Sequence, residues 1–169
     1  REAGCDGVKF QLFKISELFA PEILNKSEKH RNREKWELPE DFIPILADYA
    51  HQKGLLFSCT PFYLEAVNIL EPYVDFYKIA SYELLWLDLF KKCGKTGKPV
   101  VFSTGMATMD EVVIALKTLL DSGCREITIL HCNSSYPTPI KDANLAAITE
   151  LQKMINSLDK PENTIISIG

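Results

Sequence analysis

Two lysines lie inside short apolar runs, where a charged side chain has few structural reasons to occur. Lys9 lies in the run Val8–Phe13, and Lys78 lies in the run Val74–Ala80. Lysine is almost never fully buried unless it is paired, because burying an unpaired ammonium group is costly. We therefore interpret both lysines as functional groups that bind an anion.

Hydroxyl, amide and imidazole side chains occur near the ends of the apolar runs that predict strands. They are Gln11, Ser58, Thr60, Ser81, Ser103, Thr104, His131, Asn133, Ser134 and Ser135. Ammonium groups together with hydroxyls and an amide suit a phosphate or a carboxylate, since each donates hydrogen bonds to anionic oxygens. These residue types predict a pocket for a small anionic substrate.

Structural roles compete with this interpretation. A hydroxyl after a strand is often a helix N-cap, which would account for Thr60 or Thr104 taken alone. The tripeptide Ser103–Gly105 is compatible with a tight turn only, and His131 with a hydrogen-bonded core histidine. A Schiff-base lysine at Lys78 also stays open, because lysine at a strand end is a known nucleophile for carbonyl substrates.

The elements that must position these residues alternate between strand and helix. Predicted strands are Val8–Phe13 (buried), Leu55–Cys59, Val74–Ala80, Pro99–Ser103, Glu126–Cys132 and Thr164–Ile168; predicted helices are Phe42–Lys53, Tyr63–Glu71, Leu84–Cys93, Met109–Asp121 and Leu145–Leu158. Strand, helix, strand in succession predicts parallel strands with crossover helices. The carboxyl ends of such strands lie on one rim, where barrel enzymes carry their active sites.

A closed barrel is favoured over an open nucleotide-binding sheet, because no GxGxxG or P-loop motif follows any predicted strand. A (β/α)8 barrel has eight strands and about 250 residues. We therefore expect an α/β fold, a partial TIM barrel with the second strand to the start of the seventh. Residues 1–169 are expected to be one incomplete domain of a longer protein.

Charge and composition argue against several classes of partner. The net charge is −4 and no basic cluster occurs, so nucleic acid is not an expected partner. No run approaches the roughly 20 apolar residues of a membrane span, so no membrane is expected either. The mixed charges of Lys26–Lys35 predict a solvated loop. The five cysteines form no CxxC pair, which favours a cytoplasmic protein with mostly buried thiols over a zinc or disulfide framework.

Several collinear motifs resemble the sialic acid synthase family, which comprises N-acetylneuraminate, pseudaminic acid and legionaminic acid synthases and spore-coat polysaccharide relatives. The motifs are Gly7–Gln11, Ser58–Phe62, Tyr77–Ser81, Lys95–Thr108, Leu130–Cys132 and Tyr136–Pro139. The resemblance implies a transferase that condenses phosphoenolpyruvate with an N-acetylated amino sugar to a nine-carbon 2-keto acid and phosphate. It also implies a divalent metal, Mn²⁺ or Mg²⁺, that polarises the sugar aldehyde.

The resemblance also assigns residues. Lys9 and Lys78 match the catalytic lysines that bind phosphoenolpyruvate, and hydroxyls at Thr60, Ser81 and Ser103 match its other ligands. Positions on the pocket or sugar side match Gln11, Glu83 and Tyr136, and either Asn133 or Ser134 matches a phosphate ligand. No metal ligand is expected within this chain.

Further parts of the family's site are expected outside this chain. They are the first-strand glutamate, the metal-binding histidines and a C-terminal antifreeze-like domain that helps close the partner's site in a homodimer. The 169 residues are therefore predicted to be inactive alone. The alternatives are a related synthase that makes a 3-deoxy keto acid phosphate from a phosphosugar, and a non-catalytic barrel fragment that serves as an interaction module.

Overall fold

Strands and helices alternate along residues 2–169, which are the residues that the computed structural model describes. The sequence of residues 1–4 resembles the tail of a helix, but Arg1 lies outside the described residues. Six strands follow the order β1-β2-β3-β4-β5-β6 in one sheet. The chain divides into two compact units, Arg1–Tyr77 and Lys78–Gly169, and the boundary falls inside β3 (Phe76–Ile79).

The first unit begins with β1 (Gly7–Leu12) and β2 (Leu56–Pro61), which pair in parallel from Gly7 opposite Leu56 to Leu12 opposite Pro61. Between them lie α1 (Ile15–Leu18), α2 (Pro21–Lys26), α3 (Glu28–Arg31), a 3₁₀ helix (Asn32–Trp36) and α4 (Phe42–Gln52), and α5 (Leu64–Leu70) follows β2. Small and branched apolar residues of α4 and α5 are buried together with most of β2, so one face of each helix forms this unit's core.

The second unit continues from β3 through a 3₁₀ turn (Ser81–Glu83), α6 (Leu87–Lys95), β4 (Val100–Ser103) and α7 (Met109–Asp121). It ends with β5 (Glu126–Leu130), a 3₁₀ turn (Ile140–Asp142), α8 (Ala146–Ser157) and β6 (Ile165–Ile168). Strand β5 pairs in parallel with both β4 and β6. The buried faces of α6 and α7 supply a large part of the apolar core of this unit, and buried residues of β4, β5 and α8 add to it.

Helix α7 has the bounds that the sequence predicts, and local chemistry explains why. Thr108 and Glu111 form a capping box, in which each side chain accepts a hydrogen bond from the other residue's backbone N–H. After the helix, Gly123 takes a φ of +105°, a conformation that favours glycine. The segment between β4 and α7 ends at this cap, and it contains part of the candidate active site.

Three sequence predictions need correction. In β1 only Leu12 is buried and Lys9 is exposed, so the expectation of a buried strand is wrong there. Lys26–Lys35 is not a plain loop, because short helical turns occupy it, although most of its charges are exposed as expected. Helix α6 begins at Leu87 rather than Leu84, since the 3₁₀ turn after β3 intervenes.

The prediction for the cysteines is confirmed in its main point. Cys59, Cys93 and Cys124 are buried free thiols, Cys132 is half-buried and Cys5 is exposed. Burial raises the pKa of Cys59 and of Cys93 to about 12, so both stay protonated and act as small apolar groups.

Candidate active site

Lys78 holds its ammonium group against a serine hydroxyl in the second unit. Its Nζ donates to Ser103 Oγ at 2.5 Å and to the Ile79 carbonyl at 2.8 Å. Lys78 is half-buried and Ser103 is 5% exposed at the carboxyl end of β4. A hydroxyl that accepts from an ammonium group keeps its own hydrogen for a further acceptor. This pair can therefore present both a positive charge and an O–H donor to an anion.

Gly105 brings two further serine hydroxyls together. Its backbone N–H donates to Ser81 Oγ at 3.1 Å. A Cβ placed on Gly105 would lie 2.5 Å from Ser134 Oγ and 2.8 Å from Ser81 Oγ, so any larger residue there would displace these hydroxyls. We call Lys78, Ser81, Ser103, Gly105 and Ser134 the Lys78 cluster. Its donors are of the types that bind phosphate or carboxylate oxygens.

Glu83 lies two residues beyond Ser81 and carries a carboxyl oxygen, Oε2, that is buried without a hydrogen-bond partner within residues 2–169. Burial raises the pKa of this carboxyl above its usual range, and the positive charge of Lys78 partly offsets that effect. A carboxyl group whose protonated form is favoured can hold or deliver a proton. Glu83 is therefore the acid–base candidate associated with Lys78.

Thr104 and His131 have structural roles instead. The backbone N–H and the hydroxyl of Thr104 both donate to the Leu130 carbonyl, at 3.1 and 3.0 Å. This ties the end of β4 to the end of β5, and the helix cap is Thr108. His131 Nε2 lies 2.8 Å from the Ala143 carbonyl, to which it donates in the matching tautomer. This contact agrees with the interpretation of His131 as a hydrogen-bonded structural histidine.

The loop after β5 separates Asn133 from Ser134. Asn133 donates through Nδ2 to the Asp142 carbonyl at 2.9 Å and accepts at Oδ1 from the Ser135 N–H at 2.9 Å. Both ends of its amide thus hold the loop, whereas Ser134 lies against Gly105. Of the two, Ser134 is the better candidate for contact with an anion. Tyr136, expected on the pocket side, is 90% exposed.

The first unit carries the other predicted site residues. Lys9 and Gln11 are two positions apart on β1, so they share one face of the strand, and both are exposed. Gln11 pairs in register with Thr60, which is almost fully buried in β2. Lys9 and Gln11 also line a cavity with the segment that contains Trp36. We call this cavity the β1 pocket.

The described residues do not fit a bound metal ion. Within residues 2–169, no three histidine, cysteine, aspartate or glutamate side chains come together as a ligand set. The three histidines are instead engaged with Ser27, Asp75 and the Ala143 carbonyl. Across the same residues, no helix is long and apolar enough to cross a membrane.

Comparison with known proteins decides the family. The model of the NeuB family matches residues 1–158. The chain belongs to the NeuB family.

NeuB relatives resemble the chain over nearly its whole length. An uncharacterized protein of Methanocaldococcus jannaschii is 41% identical over 157 residues, which is 92% of this chain and 45% of that protein. The N,N'-diacetyllegionaminic acid synthase of Campylobacter jejuni is 34% identical over 164 residues, covering 89% of this chain and 49% of that enzyme. The chain therefore spans about half the length of these curated relatives.

A solved structure supports the fold. The N-acetylneuraminic acid (sialic acid) synthetase of Leptospira borgpetersenii, crystallised with citrate, is similar with a TM-score of 0.83 and 28% identity, covering 98% of this chain and 54% of that one. The six parallel strands with crossover helices thus have the fold of part of a (β/α)8 barrel, as the sequence predicts. The resemblance to the sialic acid synthase family is confirmed as well.

The sequence patterns did not single out Gly105 as a member of the Lys78 cluster. The Ser103–Gly105 tripeptide was compatible with a tight turn, and nothing local indicated that Ser81 and Ser134 would contact the glycine. A glycine directly after two hydroxyl residues at a strand end is nevertheless a usable signal, since such a position permits close approach of other groups to the backbone.

Proposed function

We propose that this chain forms the anion-binding part of an enzyme that condenses phosphoenolpyruvate with an N-acetylated amino sugar. The products are a nonulosonic, sialic-type acid and inorganic phosphate. The observation that carries the proposal is the contact of the Lys78 ammonium with Ser103, within a cluster that also holds the hydroxyls of Ser81 and Ser134. Membership of the NeuB family, whose relatives include named synthases of such acids, supports it.

The reaction balances without an oxidant or a reductant. C3 of phosphoenolpyruvate forms a carbon–carbon bond to C1 of the open-chain sugar aldehyde, and the aldehyde oxygen takes a proton. Water adds at C2, and the C2–O bond to phosphate then breaks, which leaves the 2-keto acid and inorganic phosphate. One proton of the water replaces the proton given to the aldehyde oxygen, and the other leaves with phosphate or solvent.

The residues of the Lys78 cluster bind and orient the anionic substrate in this proposal. Lys78 neutralises part of the charge on phosphate or carboxylate, and the serine hydroxyls donate to the same group. Glu83 holds a proton beside Lys78 and exchanges it during addition to the aldehyde or during water attack. Lys9 and Thr60 stay predicted ligands of phosphoenolpyruvate, and the ligands of the divalent metal are predicted to lie outside this chain.

Phosphate release tests the proposal directly. The complete protein, given phosphoenolpyruvate and Mn²⁺, is expected to release phosphate only when an amino sugar is added, with N-acetylmannosamine and the di-N-acetylated deoxy sugars as acceptors. Mass spectrometry should find a 2-keto acid of matching mass. The 169-residue chain alone is expected to give no turnover. Release that requires a phosphosugar would favour the related 3-deoxy keto acid phosphate synthase, and no release with any sugar would favour the non-catalytic alternative.

A further inference from the structure

An exposed tryptophan borders the β1 pocket in the first unit. The pocket lies between β1 and the end of the 3₁₀ helix Asn32–Trp36, and its lining includes Lys9, Gln11, Phe13, Lys35, Trp36 and Glu37. Trp36 is 63% exposed, and Lys35 Nζ lies 5.7 Å from its ring centroid. A single exposed aromatic residue needs no explanation by itself. Trp36 differs from such a residue because it borders a cavity that polar and charged side chains also line.

The segment that carries Trp36 is held in place on its C-terminal side. The Ile15 N–H donates to Glu37 Oε1 at 2.6 Å, which joins the residue after Trp36 to the chain just beyond β1. Lys14 Nζ lies 2.7 Å from Glu40 Oε1, and the Tyr63 hydroxyl donates to the same oxygen at 3.1 Å. The indole is thus presented by an anchored segment, so a ligand that stacks on it orders little additional chain.

The lining of the β1 pocket combines aromatic, amide and charged side chains, so it is neither purely apolar nor purely charged. Aromatic rings of Phe13 and Trp36 stand beside the amide of Gln11, two ammonium groups and the Glu37 carboxylate. Such a lining suits a neutral molecule that carries hydroxyl and amide groups on a carbon skeleton with apolar C–H faces. An amino sugar has this combination, whereas phosphoenolpyruvate better matches the hydroxyl-rich Lys78 cluster.

We propose that Trp36, with Lys35 over its ring, is a platform for the amino sugar and determines how tightly this substrate binds. This inference rests on the proposed function and adds to it a residue that selects the acceptor. The C–H face or the N-acetyl methyl group of the sugar packs on the indole, and Gln11 and Glu37 face its polar groups. The substrate class is a neutral N-acylated amino sugar.

Steady-state kinetics of the complete protein test the platform. Trp36→Leu is expected to raise the KM for the amino sugar about 10-fold and to leave the KM for phosphoenolpyruvate unchanged, because stacking is lost only on the sugar. Trp36→Phe keeps an aromatic face and should stay within about 3-fold of wild type. The matched control is Tyr49→Leu, which removes another exposed aromatic ring under a lysine, Lys53, in the same unit.

A binding measurement separates this inference from the proposed function. The chain contains two tryptophans, so Trp86→Phe leaves Trp36 as the only tryptophan emitter in these residues. Adding N-acetylmannosamine without phosphoenolpyruvate should then change the emission saturably. Turnover with an unchanged sugar KM in Trp36→Leu would overturn the platform and leave the proposed function standing. If no sugar supports turnover, the proposed function fails, and the titration decides: saturable change supports sugar binding at Trp36, and a flat response overturns it.

Discussion

Lys9 and Lys78 both lie between two apolar residues on a strand, but their surroundings in the structure differ. The sequence predicts a strand around each of them, and predicts a buried strand for Val8–Phe13. Lys78 is half-buried and hydrogen-bonded to Ser103 and to a backbone carbonyl, whereas Lys9 is exposed on β1 beside the β1 pocket. The contrast teaches that flanking residues identify an unusual lysine but do not determine its environment. The environment comes from neighbouring strands and loops.

The largest effect on phosphoenolpyruvate binding is expected when each of the two lysines is replaced by methionine. Lys78→Met should weaken phosphoenolpyruvate binding about 100-fold, since a charge-assisted hydrogen-bond network loses its cation. Lys9→Met should weaken it only about 10-fold, because solvent and salt screen an exposed charge. Isothermal titration at low and at physiological salt measures both.

Lys53→Met is the matched control, because Lys53 is an exposed lysine of the first unit that neither lines the β1 pocket nor belongs to the Lys78 cluster. It should leave binding unchanged. An equal or larger loss for Lys9→Met than for Lys78→Met would break the comparison and make the exposed lysine the principal ligand.

A smaller effect is expected from filling the space at Gly105. Gly105→Ala puts a methyl group 2.5 Å from Ser134 Oγ and 2.8 Å from Ser81 Oγ, so these two hydroxyls must move out of their present positions. We expect about a 10-fold loss of phosphoenolpyruvate affinity and about 1–3 kcal/mol less stability in urea unfolding, as overpacking typically costs. The double variant Gly105→Ala, Ser134→Ala should recover part of the stability, because one of the two clashing oxygens is gone and Ser81 Oγ stays. Unchanged affinity in the single variant would remove Ser134 from the site.

The smallest effect concerns the charge state of Glu83. Its raised pKa means that the fold favours the protonated carboxyl; this stabilisation is present below the usual glutamate pKa and is lost as the pH rises through the raised value. Glu83→Gln should therefore raise the urea midpoint relative to wild type at pH 7.5, and the difference should disappear near pH 4. Glu150→Gln, at an exposed ion pair with Lys153, is the control and should show little change at either pH. A midpoint difference for Glu83→Gln that is independent of pH would contradict the assignment.

Much of the fold follows from local patterns. Apolar runs and helical periodicity predict the alternation of strands and helices, and Gly123 predicts where α7 ends. The start of α6 and the helical turns within Lys26–Lys35 were not predicted, because short turns carry little periodic signal.

By itself the sequence determined the parallel strand–helix order, the NeuB membership and the residue types that can bind an anion. Only the tertiary structure decided that Lys78 meets Ser103, that Ser134 rather than Asn133 lies against Gly105, and that one carboxyl oxygen of Glu83 is buried. Secondary structure depends on neighbours within a few residues, which a sequence pattern displays. Burial and hydrogen-bond partners depend on side chains that packing brings together from distant strands, and no local pattern records that packing.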